Sequence, residues 1–127
     1  MTHADIVDEF GPEGVTDIVP SYGQRAAITD DTQMTLFTAE GLIEATKTGT
    51  DQVASIWDAY KRWYHTQGGP LPAEADLDKG LLAVPEMHNM RAPGNTCMGA
   101  LRYGIAGTRT QPLNNSKGCG GVMRAAP

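Results

Sequence analysis

The chain has 127 residues, room for one modest domain that buries roughly two thirds of its unfolded surface. Its 15 glycines and 8 prolines against two Phe and two Trp indicate many loops around few large packing residues, and so much glycine suits backbone that approaches a ligand. A net charge of -5 with ten scattered Lys and Arg excludes a basic footprint for nucleic acid, and no apolar run approaches the ~20 residues of a membrane span.

Residues 1–10 lack the basic and apolar regions of a signal peptide and fit a short helix with Ile6, Val7 and Phe10 inward. "GPEG" ends it, and "VTDIVPSYGQ" is expected to be extended loop. From Asp31 to about Thr46, Met34, Phe37, Gly41, Leu42 and Ala45 follow one helical face, which Leu36 and Ile43 widen, and Gly49 closes the helix. Asp51 caps the next, where Val53, Ile56, Trp57, Tyr60, Trp63 and Tyr64 form a core stripe stopped by Gly68-Gly69-Pro70. A short third helix is expected over Leu77 to Val84, because Pro85 pushes the residue before it out of helical geometry. Thr96 is expected to cap a fourth helix with Met98, Leu101 and Ile105 on one face, and "VMRAAP" to begin another. Nothing alternates with period two for long enough to predict a sheet, so the fold class is all-α, in a single domain over residues 1–127.

Three stretches could carry chemistry. In "TDDT", Asp30 can cap a helix whose Gln33 completes a capping box. A cap needs one side chain, however, and Thr29, Asp30 and Asp31 crowd two carboxylates beside a hydroxyl, a hard-oxygen corner suited to a divalent cation. In "NNSKGCGGVMR", the glycines before an expected helix offer backbone N–H groups to an anion, with Ser116 and Lys117 as further polar contacts; a flexible loop is the alternative. In "HNMRAPGNTC", His88 fits a surface histidine better than a base, Asn95 a turn residue and Thr96 a cap. Cys97 and Cys119 stand 22 positions apart without metal-ligand spacing, so reduced thiols in a cytoplasmic protein are expected, with a disulfide as the alternative. Cys119 has no base nearby in sequence to make it a nucleophile.

Together "AITDDTQMTLFTAEGLI", "RAPGNTCMGALR" and "NSKGCGGVMRAAP" resemble the ADP-ribosylglycohydrolase family, which includes the dinitrogenase-reductase-activating glycohydrolases. The resemblance implies an all-α fold with a two-magnesium centre that cleaves the glycosidic bond between ADP-ribose and a protein side chain or related small acceptor. It implies metal ligation by Thr29, Asp30 and Asp31, with Asp30 and Asp31 catalytic. It further implies ADP-ribose contacts from Ser116, Lys117, Gly118, Cys119 and Gly120. Mn²⁺ accepts the same oxygen ligands as Mg²⁺. Against the family's usual pattern, the "GxxxGDALG" helix and the second Asp-x-Asp group are missing, so the chain is expected to be an N-terminal fragment truncated at both ends. Its missing halves would come from a longer gene product, and alone it would bind Mg²⁺ weakly and turn over little. A non-catalytic remnant or ADP-ribose-binding module is the alternative function.

Overall fold

A computed structural model of the chain describes residues 1–108 and 110–127. Helix α1 (His3–Phe10) starts at a capping box in which the Thr2 hydroxyl accepts from the Asp5 N–H and the Asp5 carboxylate accepts from the Thr2 N–H. Those bonds, backbone first and hydroxyl second, hold the Asp5 carboxyl below its ordinary range. Ile6, Val7 and Phe10 are half-buried, so the inward stripe is only partly covered. Where extended loop was expected, a two-residue hairpin forms from β1 (Pro20–Ser21) and β2 (Gln24–Arg25), paired Pro20 to Arg25. It is too small to change the class, and the fold is all-α.

Helices α2 (Asp30–Thr48) and α3 (Gln52–Thr66) are the two long elements and make the principal packing of the molecule. Gly49 ends α2 in the left-handed region at φ 70°, its N–H returning to Ala45 O. Asp51 caps α3 by accepting from the Ala54 N–H at 2.9 Å. So short a connection makes an antiparallel pair, and the cross-contacts run in that sense: Gly41 meets Ile56, Thr38 meets Tyr60, and Gln33 meets Trp63 and Gln67.

The core gathers Met34, Phe37, Ala59, Trp63, Met87, Cys97 and Leu101, with Trp57, Tyr60 and Tyr64 packed against it. The predicted faces of α2 and α3 are therefore largely correct, but three members are not: Leu36, Ile43 and Val53 are exposed. Periodicity placed them on the packed faces, but none of the described residues buries them.

The segment after α3 departs furthest from expectation. The helix expected over Leu77 to Val84 is a single 3₁₀ turn, Gly80–Ala83, followed by a second, Pro85–His88. Lys79 is extended and Gly80 has φ 56°, which breaks any helix before Leu81. The Leu81 N–H is taken by Glu40 Oε1 at 2.8 Å, so a side chain of α2 replaces the helical acceptor. Glu40 is held in turn by Arg62, which also bonds Glu44. Burial pulls the Arg62 pKa down, but the bonds to Glu40 and Glu44 and their charges outweigh it, leaving it above its ordinary value.

Helix α4 (Asn95–Arg102) has Gly94, not Thr96, at its N-cap. It ends before Gly104, which has φ 70°, and Ile105 lies beyond it, exposed. The C-terminal stretch makes one 3₁₀ turn, Cys119–Gly121, rather than the start of an α-helix.

Gly41 sits where α2 crosses close to α3, since a Cβ there would stand 2.8 Å from Ile56 Cα. Backbone cannot retreat as a flexible side-chain end can. Gly41→Ala is expected to destabilise the protein by about 1–3 kcal/mol in urea unfolding, although Ala is about 1 kcal/mol the better helix former. Unchanged or increased stability would contradict the close crossing.

Candidate functional site

The first turn of α2 is built from its neighbours as much as from its own sequence. Thr29 occupies the N-cap, yet its hydroxyl makes no capping bond. Asp30 is buried: its N–H donates to Arg91 O at 3.1 Å, and its Oδ2 accepts from the Gly94 N–H at 3.1 Å. It therefore caps the approach to α4 rather than the helix it begins. Asp31, one residue on, is exposed.

The expected capping box between Asp30 and Gln33 does not form. Gln33 is fully buried and uses its amide elsewhere: Oε1 accepts from Trp63 Nε1 at 3.2 Å and Gln67 Nε2 at 3.3 Å. Its Nε2 donates to Asn89 O at 2.9 Å and Met87 O at 3.4 Å. A buried amide with this many partners is a tertiary joint, not a helix cap.

The C-terminal loop folds back onto the same region. Thr35 Oγ1, on the second turn of α2, lies 2.9 Å from Met123 O and 2.8 Å from Asp31 O, its single proton shared between the two carbonyls. Ser116 Oγ pairs with Thr96 Oγ1 at 2.7 Å and accepts from the Gly118 N–H at 3.2 Å. Two glycines of the loop lie close against α4. A Cβ at Gly120 would stand 2.5 Å from Cys97 Sγ, and one at Gly118 would stand 3.2 Å from Thr96 Oγ1. Arg124 closes the seam, its Nη1 lying 3.7 Å from both Met34 Sδ and Cys97 Sγ.

The two stretches therefore meet on one side of the molecule, joined through Thr35 and Met123 and through the α4 N-terminus. Their components differ in readiness. Lys117 and Cys119 are exposed, whereas the Gly118 N–H is already engaged by Ser116. Within residues 119–127 the backbone makes only a 3₁₀ turn, so its N–H groups there are not the first turn of an α-helix. His88 is exposed and its Nε2 lies 2.8 Å from Leu82 O, and Asn95 is simply the first residue of α4. Thr96 bonds across to Ser116, a role its cap-like position did not suggest. Arg91, Gly94, Thr35 and Arg124 also escaped the sequence reading, because what they contribute here depends on contacts distant in sequence.

Both thiols are free, Cys97 buried and Cys119 exposed. Burial pushes the Cys97 thiol up; the Arg124 charge pulls it down, and Asp30, Cys119 and Asp31 push it further up. It is a packing group beneath the loop.

The donor set suits a hard cation in kind. Asp30 has spent one carboxylate oxygen on Gly94, which leaves its other oxygen, the exposed Asp31 carboxylate and the uncapping Thr29 hydroxyl. Mg²⁺ accepts such oxygens and keeps several waters. Among the described residues no group of three or more His, Cys, Asp or Glu gathers at one point, so these residues would supply part of a coordination sphere.

A family model described as ADP-ribosylglycohydrolase matches residues 1–127, the whole chain. The chain belongs to the ADP-ribosylglycohydrolase family. No curated protein and no solved structure matches it. Membership makes the chain a glycohydrolase by family, on an all-α fold that agrees with the observed one. Among the described residues no helix is long and apolar enough to cross a membrane.

The unequal burial of the two aspartates has a measurable consequence. Asp30→Ala, which strips the Gly94 N–H of its acceptor, is expected to cost about 1–2 kcal/mol in urea unfolding. Asp31→Ala, at an exposed position, is expected to stay within about 0.5 kcal/mol. Equal losses would contradict the division of roles.

Proposed function

We propose that this member of the family contributes to magnesium-dependent cleavage of the glycosidic bond linking ADP-ribose to a protein side chain or a related small acceptor. The observation that carries the proposal is that the C-terminal stretch packs on α2 through Thr35 and Met123 and, through Thr96 and Ser116, on α4, the helix whose N-cap Gly94 is bonded by Asp30, in a chain matched over its whole length by the family. Thr29, Asp30 and Asp31 are assigned to the cation. Ser116, Lys117, Gly118, Cys119 and Gly120 are assigned to the ADP-ribose.

In this scheme Asp30 is the fixed member of the doublet, since its bond to the Gly94 N–H sets the carboxylate's position before anything binds. Asp31 is the free member, available to orient water and accept its proton as that water attacks the anomeric carbon and the bond to the acceptor breaks, the acceptor leaving with the electron pair and taking up that proton. The positive end of the α2 dipole, at the same turn, offsets part of the repulsion between the two charges. A bound Mg²⁺ or Mn²⁺ would supply Lewis-acid polarisation of ribose hydroxyls and water. Exposed Lys117 brings the loop a cation suited to the pyrophosphate.

A second reading, an ADP-ribose-binding module without turnover, draws on the absence of a third acidic or imidazole ligand beside the doublet among the described residues. Release of ADP-ribose from ADP-ribosylated protein and from small conjugates separates the two. Release is expected only with Mg²⁺ or Mn²⁺, and Asp31→Asn is expected to lower it by about 100-fold or more with the circular dichroism unchanged. Release that survives both EDTA and Asp31→Asn contradicts the hydrolase assignment, and tight ADP-ribose binding without any release assigns the module.

A further inference from the structure

Arg91 carries a buried charge that the acid doublet and the C-terminal loop do not use. It is 8% exposed and forms no ion pair among the described residues, whereas Arg62 on α3 is held by two carboxylates. Its Nη1 is buried without a hydrogen-bond partner, and its Nη2 meets only Gln24 Oε1, at a long 3.4 Å. The guanidinium lies over the Tyr22 ring at 4.7 Å from the centroid. A ring face offsets part of such a charge, but a buried cation is ordinarily settled by an anion or a full set of acceptors. Arg91 has neither.

Arg91 lines a cleft of about 190 Å³ between the β1–β2 hairpin, the segment leading into α2 and the loop after the second 3₁₀ turn. Gln24, Glu86 and Asn89 add polar lining, and Ala27 and Ile28 form an apolar wall. Neither the acid doublet nor any part of residues 116–124 reaches it. The backbone around it is strained: among the described residues, the non-glycine positions with positive φ are Tyr22 at 50°, Ala26 at 58° and Ala92 at 55°, all beside Gln24 or Arg91. Such conformations gather where a ligand is held.

We propose that this cleft is a binding site for a small carboxylate, taken by the Arg91 guanidinium and separate from the region assigned to ADP-ribose. The carboxylate displaces the exposed Gln24 side chain from Nη2 and brings its second oxygen to Nη1, so that one long neutral contact gives way to a charge-assisted pair. Size and charge select the class. The volume lies below the roughly 300–1,000 Å³ of sites for drug-sized ligands, and the Glu86 carboxylate at the same cleft opposes a second negative charge. A monoanion with a short apolar tail against Ala27 and Ile28 fits better than phosphate. The Arg91 carbonyl accepts the Asp30 N–H at 3.1 Å, so the residue that takes the ligand also anchors the acid doublet. Binding itself does not rest on the hydrolase reading.

The test is titration of the isotope-labelled whole chain with acetate at constant ionic strength, followed by amide NMR, with inorganic phosphate and a capped tripeptide bearing a central glutamate as parallel arms. Acetate is expected to shift the amides of residues 24–28 and 89–91 saturably. Arg91→Met is expected to weaken acetate by about tenfold or more. Because Arg91 is buried, Glu86→Gln, at an exposed position, provides the second variant, and loss of its charge is expected to tighten acetate by about two- to threefold. Phosphate is expected to bind more weakly than acetate. Peptide tighter than acetate supports the site with a protein side chain as the source of the carboxylate, and acetate at least as tight supports it with a free acid. Absence of saturable shifts at those residues, parental affinity in folded Arg91→Met, unaltered or weakened affinity in Glu86→Gln, or phosphate at least as tight as acetate overturns the proposal.

Discussion

The buried side-chain amide of Gln33 is the joint on which the site depends. Its oxygen accepts from Trp63 and Gln67 of the α3 end, and its nitrogen donates to the carbonyls of Met87 and Asn89. One side chain thus ties α2 to α3 and both to the loop that follows the 3₁₀ turns. With Asn89 fixed, the chain next delivers Arg91 O to the Asp30 N–H and the Gly94 N–H to the Asp30 carboxylate. The position of the acid doublet is therefore set through the loop between residues 87 and 94, and the amide holds that loop's path. Removing it would leave the buried Trp63 N–H without its acceptor and the Asn89 carbonyl without its donor, while the Met87 carbonyl would keep only the longer bond from Gln67 Nε2 at 3.5 Å.

From that joint the two aspartates acquire different characters despite their adjacency. Asp30 is sealed against Gly94 and holds α4 to α2, whereas Asp31 faces solvent. The same economy recurs in the loop at the C-terminus. Gly118 and Gly120 have Thr96 and Cys97 directly behind them, so these glycines serve a close approach to α4. The loop is consequently pressed against the helix whose N-terminus Asp30 anchors, and the two halves of the site share a single support.

The long helices were legible because their periodicity is strong and their stops are explicit. Gly49 in its left-handed conformation and Asp51 at its cap do what their residue types favour. Errors arose wherever a distant partner outbid local preference. Gln33 has the spacing of a capping box but was taken by Trp63; Thr96 has the look of a cap but turns to Ser116; and Leu81 loses its helical acceptor to Glu40. Leu36, Ile43 and Val53 are apolar at helical spacing yet exposed among the described residues, because spacing marks a helix face without saying what packs on it. For the candidate site, residue type singled out Thr29, Asp30 and Asp31 as possible oxygen donors, but the burial of Asp30 against Gly94 and the exposure of Asp31 depend on contacts distant in sequence.

Whether the acid doublet and the C-terminal loop form one site is most directly tested by paramagnetic relaxation in the isotope-labelled chain. Mn²⁺, which takes the same oxygen donors as Mg²⁺, is titrated while the amide signals are followed. The signals of Asp30, Asp31 and Gly94 should broaden first, those of residues 116–121 with them, and Asp31→Asn should suppress the effect. Full intensity in residues 116–121 while Asp30 and Asp31 are bleached would separate loop from metal and contradict the account.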